Sequence, residues 1–219
     1  MLWYVNLSMY LSGELIVLVS STIIQDIDTM RKAGLASLIF FYCDFREDQK
    51  KDLRGLLISL LVQLCHQSDT YYDALSTFFS EHGMGFQPSN DALAGCLKDI
   101  LKFPGLAPVY FIVDALDECS PTSAFPSPRG KIQYLIEELV HSGLPNLRLC
   151  VTSRPQTDIK NALDPLTFLS VSLHEESGQK RDIEDYITSV INTHPKNRRW
   201  KAEHKQLAID VLIEKADGV

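Results

Sequence analysis

One stretch limits what this chain can fold into more than any other: Val109-Tyr-Phe-Ile-Val-Asp-Ala-Leu-Asp-Glu-Cys119. Five apolar, mostly β-favouring residues run without a break into Asp114, and Asp117 and Glu118 follow at once. Preceded by Pro-Gly-Leu-Ala-Pro, such a run predicts a strand buried on both faces, as in a parallel sheet. Asp114 then falls where the strand leaves the sheet. In open α/β sheets this carboxyl edge is where ligands bind.

Carboxylates at that edge are costly to bury unless a cation or hydrogen-bond donors compensate them. The pattern is that of a Walker B strand. There one Asp holds Mg²⁺, and an acidic residue a few positions on orients or deprotonates water. The alternative is a central strand followed by a solvated acidic turn.

A second informative stretch is Leu147-Arg-Leu-Cys-Val-Thr-Ser-Arg-Pro155. A strand ends near Thr152, and Ser153 and Arg154 follow directly. Parallel strands end on the same edge, so Asp114 and Arg154 are expected to face one crevice. A guanidinium there can bond phosphate oxygens bidentately, or it can pair with Asp117 or Glu118 and neutralise the acidic turn. Ser153 has no evident base partner, so a hydrolase triad has no support.

Elsewhere the chain alternates strand and helix patterns, without internal repeats. Ser21–Ala33 reads as a helix with Ile23, Ile24, Ile27 and Met30 on one face, stopped by Gly34. Ala36–Cys43 reads as a strand and Asp44–Lys51 as a charged loop. Asp52–Cys65 is a one-sided leucine helix. Tyr71–His82 is a helix with Leu75, Phe78 and Phe79 inward. Gly83–Pro88 is a loop. A helix capped by Asn90 or Ser89 buries Leu93, Cys96, Leu97, Ile100 and Leu101. Ser120–Gly130 reads as a mobile loop, Ile132–Val140 as a helix ended by Gly143, and Thr167–Leu173 as a strand. Lys180–Asn192 is amphipathic with Ile183, Tyr186, Ile187, Val190 and Ile191 inward. His194–Lys201 is a charged linker before a last helix from Ala202. Strands alternating with helices predict a mostly parallel sheet with helices on both faces.

Composition removes several classes. Apolar residues at 45% and charged ones at 22% suit one globular domain of ordinary core size. A net charge of -7 argues against a nucleic-acid partner. Lys196–Lys201, basic with Trp200, reads as a solvated inter-helix loop, with nucleic-acid contact as the alternative. The five cysteines, Cys43, Cys65, Cys96, Cys119 and Cys150, are widely spaced in apolar runs. They read as buried thiols of a reducing compartment, and no histidine stands at metal-ligand spacing. Met1–Ile24 carries a single charge, Glu14, but lacks a positive n-region and a cleavage site and is broken by Ser8, Ser12, Gly13, Ser20 and Ser21. A buried strand, or foreign sequence from a misread gene start, is expected there, and no membrane partner.

These residues resemble the NACHT-type STAND NTPases of fungi, and among them the group with a nephrocystin-like N-terminal domain. The resemblance rests on Val109–Cys119, Val151-Thr-Ser-Arg-Pro155, Leu38-Ile-Phe-Phe-Tyr-Cys-Asp-Phe45 and Leu53–Leu64, and covers about Ser21 to Val219. Lys215-Ala-Asp-Gly218 resembles the start of a further family helix. The resemblance implies ATP or ADP bound with Mg²⁺ in a cytoplasmic signalling switch. It implies Asp114 for Mg²⁺, Glu118 with Asp117 for water activation, and Arg154 with Ser153 at the nucleotide. It also implies a possible homo-oligomer through this core, an upstream effector domain and a downstream repeat region such as ankyrin repeats.

One family element is missing. No Gly-x-x-x-x-Gly-Lys-Ser/Thr loop precedes the first helix. That loop's N–H groups and the helix N-terminus cradle phosphates, and its Lys supplies a point charge. If Leu15–Val19 replaces the first strand, too few residues remain to wrap a triphosphate. If Gly13-Glu14 takes the loop's place, a carboxylate stands where the ammonium belongs and repels phosphate. The expected fold is therefore a three-layer α/β P-loop-NTPase-like sheet whose first strand and phosphate loop are degenerate. Residues 1–20 form a divergent segment, 21–193 the core, and 194–219 the start of a helical extension. ATP hydrolysis is expected to be weak or absent, and the chain reads as a truncated or misassembled product of a parent gene. The rivals are an intact Mg-dependent NTPase with a diverged loop, and a non-catalytic interaction module.

Overall fold

The computed structural model describes residues 2–6, 14–47, 50, 52–82, 85, 87–119, 126–154, 156–172 and 177–217. For 2–6, 14–19, 82, 171–172, 177–183, 195 and 215–217 the backbone alone is described. Ser12-Gly13, Pro155, Leu173, Gly218, parts of the Gly83–Pro88 loop and the first half of Ser120–Gly130 lie outside the described residues.

Five parallel strands form one sheet in the order β2-β3-β4-β1-β5. They are β1 Leu2–Asn6, β2 Ser37–Tyr42, β3 Val109–Asp114, β4 Leu147–Ser153 and β5 Leu169–Ser172. The helices are α1 Glu14–Lys32, α2 Leu53–Cys65, α3 Asp69–His82, α4 Asn90–Leu101, α5 Pro128–His141, α6 Thr157–Leu163, α7 Ser177–Thr193 and α8 Ala202–Asp217. The alternation of strand and helix has produced the doubly covered sheet it predicts.

The layers follow the two-residue strand period. Ile39, Phe41, Phe111, Val113, Leu149 and Val151 turn to one face and join the large core with α2 (Leu56, Leu57, Leu60, Leu61, Leu64), α4, α5 and α6. Leu38, Phe40, Tyr110, Ile112 and Cys150 turn to the other, under Ile23, Ile24, Ile27 and Met30 of α1. This burial on both faces explains why β3 reads as an unbroken apolar run. Caps set the helix starts: Asp52 accepts from Gly55 N–H, Ser89 from Ala92 N–H and Ser127 from Gly130 N–H.

Several expectations need correction. Leu15–Val19 is helix, and β1 fills the first-strand slot between β4 and β5, with Val5 opposite Thr152 and Val171. That strand is therefore not lost, and the threading that made Leu15–Val19 the first strand fails. Ser89, not Asn90, caps α4. Within Ser120–Gly130 the last three residues are already α5, because Ser127 caps it and Pro128 suits its first turn. Phe79, Tyr186 and Val190 face outward, while Tyr71, not singled out, is fully buried. Helical periodicity alone does not say which helix has a neighbour. α8 packs on α7 across the turn Pro195–Asn197. All five thiols are free. Burial pushes Cys96 and Cys150 up to about 11, which leaves them inert. Among the described residues no helix is long and apolar enough to cross a membrane.

Candidate functional site

The acidic edge is built by the ends of β3 and β4. Pairing in register places Val113 beside Val151, so Asp114 emerges next to Thr152. The Thr152 hydroxyl donates to Asp114 Oδ1 and accepts the Ala115 N–H at 3.0 Å. The Ser20 hydroxyl of α1 also donates to the Asp114 carboxylate. Asp114, Thr152 and Ser20 are all buried. Burial is the largest influence on Asp114 and, with the neighbouring Asp117 charge, holds its pKa above the usual carboxylate range against these donors.

That shift has a sign. A carboxyl whose folded pKa is raised keeps its proton in the native state where the unfolded chain has lost it. Stability therefore falls as pH rises from about 3.9, the unfolded value, through the folded value. Asp114→Asn is expected to raise stability at pH 7 by on the order of 1 kcal/mol. The gain should vanish near pH 3. Thermal melts of both chains across pH check this; a gain that persists at pH 3 would point to a cause other than the buried charge.

Ala115 turns the chain. Its φ of 54° and ψ of 49° are left-handed, the only positive φ at a non-glycine among the described residues. The strain swings Leu116–Glu118 into a 3-10 turn over the ends of β3 and β4. A left-handed alanine costs roughly 1 kcal/mol, so Ala115→Gly should raise the melting midpoint by about 2–4 °C. An unchanged or lower midpoint would refute the strain.

Asp117 is spent on its neighbours. Its Oδ1 accepts the Arg154 N–H at 3.0 Å and the Ser153 hydroxyl at 3.3 Å, and its Oδ2 accepts from Arg154 Nε. With its side chain only 2% exposed, it is a clamp between the acidic turn and β4. Glu118 is the more open carboxylate, with Arg154 Nη2 at 3.6 Å. The structure thus brings Asp114, Asp117, Glu118, Ser153 and Arg154 together. Of the two arrangements considered for Arg154, it shows the one paired with both acidic residues.

Sequence reading missed Arg129. It lies in α5, is 2% exposed, and ties the turn together. Its Nε donates to Cys119 O at 3.0 Å, Nη2 to Asp117 O at 2.6 Å, and Nη1 to Gln156 and, at 3.0 Å, Asp158 Oδ2. The only available signal was an arginine in the first turn of a helix, where cations are disfavoured.

The groups implied by the resemblance can be tested against these residues. Among the described residues no group of three or more His, Cys, Asp and Glu side chains is placed to hold a metal by itself. Mg²⁺ needs only one or two carboxylates plus substrate phosphates, and Asp114, which enters no ion pair among the described residues, is of the right type. A triphosphate fits poorly. The residue heading α1 is Glu14, the chain has no Lys or Arg before Arg31, and Arg154 already pairs with two carboxylates.

Sheet order and acidic edge define an NTPase-like α/β domain. The family model described as Nephrocystin 3, N-terminal matches residues 17–154, more than half of the chain, which belongs to that family. The match begins inside α1, after residues 7–13. The vegetative incompatibility protein HET-E-1 of Podospora anserina is 25% identical over 181 residues. The match takes in 78% of this chain and 12% of that relative, so the chain spans a small part of its length. Among solved structures, Aeropyrum pernix ORC1 in complex with DNA superposes with a TM-score of 0.47 at 12% identity, over 99% of this chain and 53% of that one. The ORC2 protein of the same organism, in ADPNP-ADP complexes, gives 0.46 at 12% identity, over 94% and 49%. Similarity at this level carries no functional weight.

Proposed function

We propose that this chain is the nucleotide-switch core of a STAND-type signalling protein, and that it retains the switch architecture with little or no ATP hydrolysis. The observation that carries this reading is the pairing of a built acidic edge with an uncompensated phosphate side. Asp114 is buried and hydrogen-bonded at the end of β3, yet the chain supplies Glu14 where a phosphate-binding lysine is needed. In this reading Asp114 is the Mg²⁺ ligand, Glu118 the residue facing a water, and Arg154 with Ser153 the nucleotide-facing end of β4. Asp117 contributes by holding Arg154. A cytoplasmic setting, assembly through the core, and effector and repeat regions in a parent protein belong to the same proposal. A second reading, a non-catalytic interaction module, is favoured by Arg154 and Asp117 being committed to each other.

Thermal unfolding with MgATP or MgADP separates them. Ligand that binds the native state raises the midpoint once its concentration passes Kd. The expected result is a cooperative transition with a small but definite shift at millimolar nucleotide, no phosphate release, and no shift in Asp114→Asn. A large shift abolished by Asp114→Asn would establish an intact NTPase with a diverged loop. A cooperative transition with no shift at all would leave the interaction module.

A further inference from the structure

β2 is an outer strand of the sheet. Its odd-numbered residues turn inward: Ser37 N–H donates to Pro108 O at 2.9 Å and Cys43 N–H to Asp114 O at 3.0 Å. The even-numbered residues therefore turn their N–H and C=O groups to the open edge. Leu38 and Phe40 are nevertheless satisfied by two side-chain amides, Gln63 of α2 and Gln67 in the turn just past its end. Gln63 Oε1 accepts the Phe40 N–H at 2.9 Å, and its Nε2 donates to Phe40 O at 2.8 Å. Gln67 Oε1 accepts the Leu38 N–H at 2.9 Å, and its Nε2 donates to Leu38 O at 2.6 Å.

Geometry explains the match. A helix rises about 6.0 Å over four residues, and a strand advances about 6.6 Å over two. Gln63 near the end of a helix antiparallel to the strand, and Gln67 four residues on in the turn that follows it, thus meet the outward groups at alternate strand positions. Each amide is complete, because the second N–H of Gln63 goes to Ser59 Oγ and that of Gln67 to Gln63 O, both at 2.9 Å. A side-chain amide carries the same donor and acceptor as a peptide unit, so the pair stands in for two residues of a neighbouring strand.

What lies beneath is a segment suited to pairing with itself. Ser37-Leu-Ile-Phe-Phe-Tyr42 has no charge, no Gly and no Pro, and is rich in β-favouring residues. Exposed strands of that composition pair edge to edge, and folded proteins cover or charge them. A strand edge meets a second copy of itself antiparallel across a two-fold axis, an isologous contact that closes at a dimer. We propose that Gln63 and Gln67 clasp the free edge of β2, and that with the clasp open this edge is a strand-pairing surface for a second copy of this chain. The proposal stands apart from the nucleotide reading, since neither glutamine touches the acidic edge.

Gln63→Met with Gln67→Met tests it in the full chain, because methionine keeps the side-chain length at both positions, and helix propensity at Gln63, while removing the amide. The expected result is a native-like circular dichroism spectrum with at least twice the wild-type mass in light scattering at equal concentration. The Leu38 and Phe40 amides should be protected from hydrogen exchange in the associated form and exchange at least tenfold faster on dilution to the monomer. A folded double variant with the wild-type mass overturns the proposal. So does an associated form whose Leu38 and Phe40 amides exchange freely. If the double variant does not fold, each single variant is measured: a rise in mass at high concentration supports the clasp, and wild-type mass in both overturns it.

Discussion

Arg129→Met is expected to destabilise the chain by about 3–5 kcal/mol, the largest single effect at the acidic edge. Methionine fills most of the arginine's volume and removes a charge that is costly to bury, and both of these work toward a small effect. The acceptors decide otherwise. Asp117 O and Cys119 O are met by Arg129 Nη2 and Nε, and each would lose its buried donor. Asp158, about half exposed, can turn to water, so the loss concentrates on the two carbonyls. Arg129→Lys should recover only part of it, because one ammonium cannot reach both carbonyls and Gln156 in the geometry of the fork. Urea unfolding measures the difference. A loss below about 1 kcal/mol would show that the turn holds without the arginine.

Asp117→Ala should cost about 2–4 kcal/mol, for the mirror-image reason. It strips the acceptor from the Arg154 N–H and Arg154 Nε together, while the Ser153 hydroxyl keeps Arg154 O at 2.8 Å. Asp117→Asn keeps one acceptor oxygen and should lose about half as much. The same pair separates two roles for Asp117. A water-activating carboxylate can be replaced by Asn with little change in stability and a loss of hydrolysis. A clamp loses stability and frees Arg154 Nε from its buried carboxylate, leaving the more distant Glu118, so binding of pyrophosphate, followed by calorimetry, should strengthen in Asp117→Ala. Unchanged stability in both variants would remove the clamp.

Much of this was legible from residues alone, for a definite reason. β3 and β4 are buried on both faces, so their apolar runs and polar ends stand out without any knowledge of neighbours. The stripe Leu56, Leu57, Leu60, Leu61 and Leu64 is legible in the same way, because one helical face meets one sheet. Outer helices are less so. Tyr186, Val190 and Phe79 sit at helical spacing yet face outward, because spacing defines a face and not what covers it. Leu15–Val19 misled because its apolar run suits helix and strand equally, and length of run is the only local arbiter.

Local residue order sets the parallel α/β plan, the carboxylates at the end of β3, the cation just past β4, and a first helix with no Lys or Arg before Arg31. All four depend on residue type and local order. Packing between distant segments places Leu2–Asn6 between β4 and β5 and sets Arg154 against Asp117 and Glu118. Packing also makes Arg129 the anchor of the turn and sets Gln63 and Gln67 against the edge of β2. Each of these rests on a hydrogen bond or a register between segments distant along the chain. Such partners are chosen by how the layers pack, and no local pattern records them.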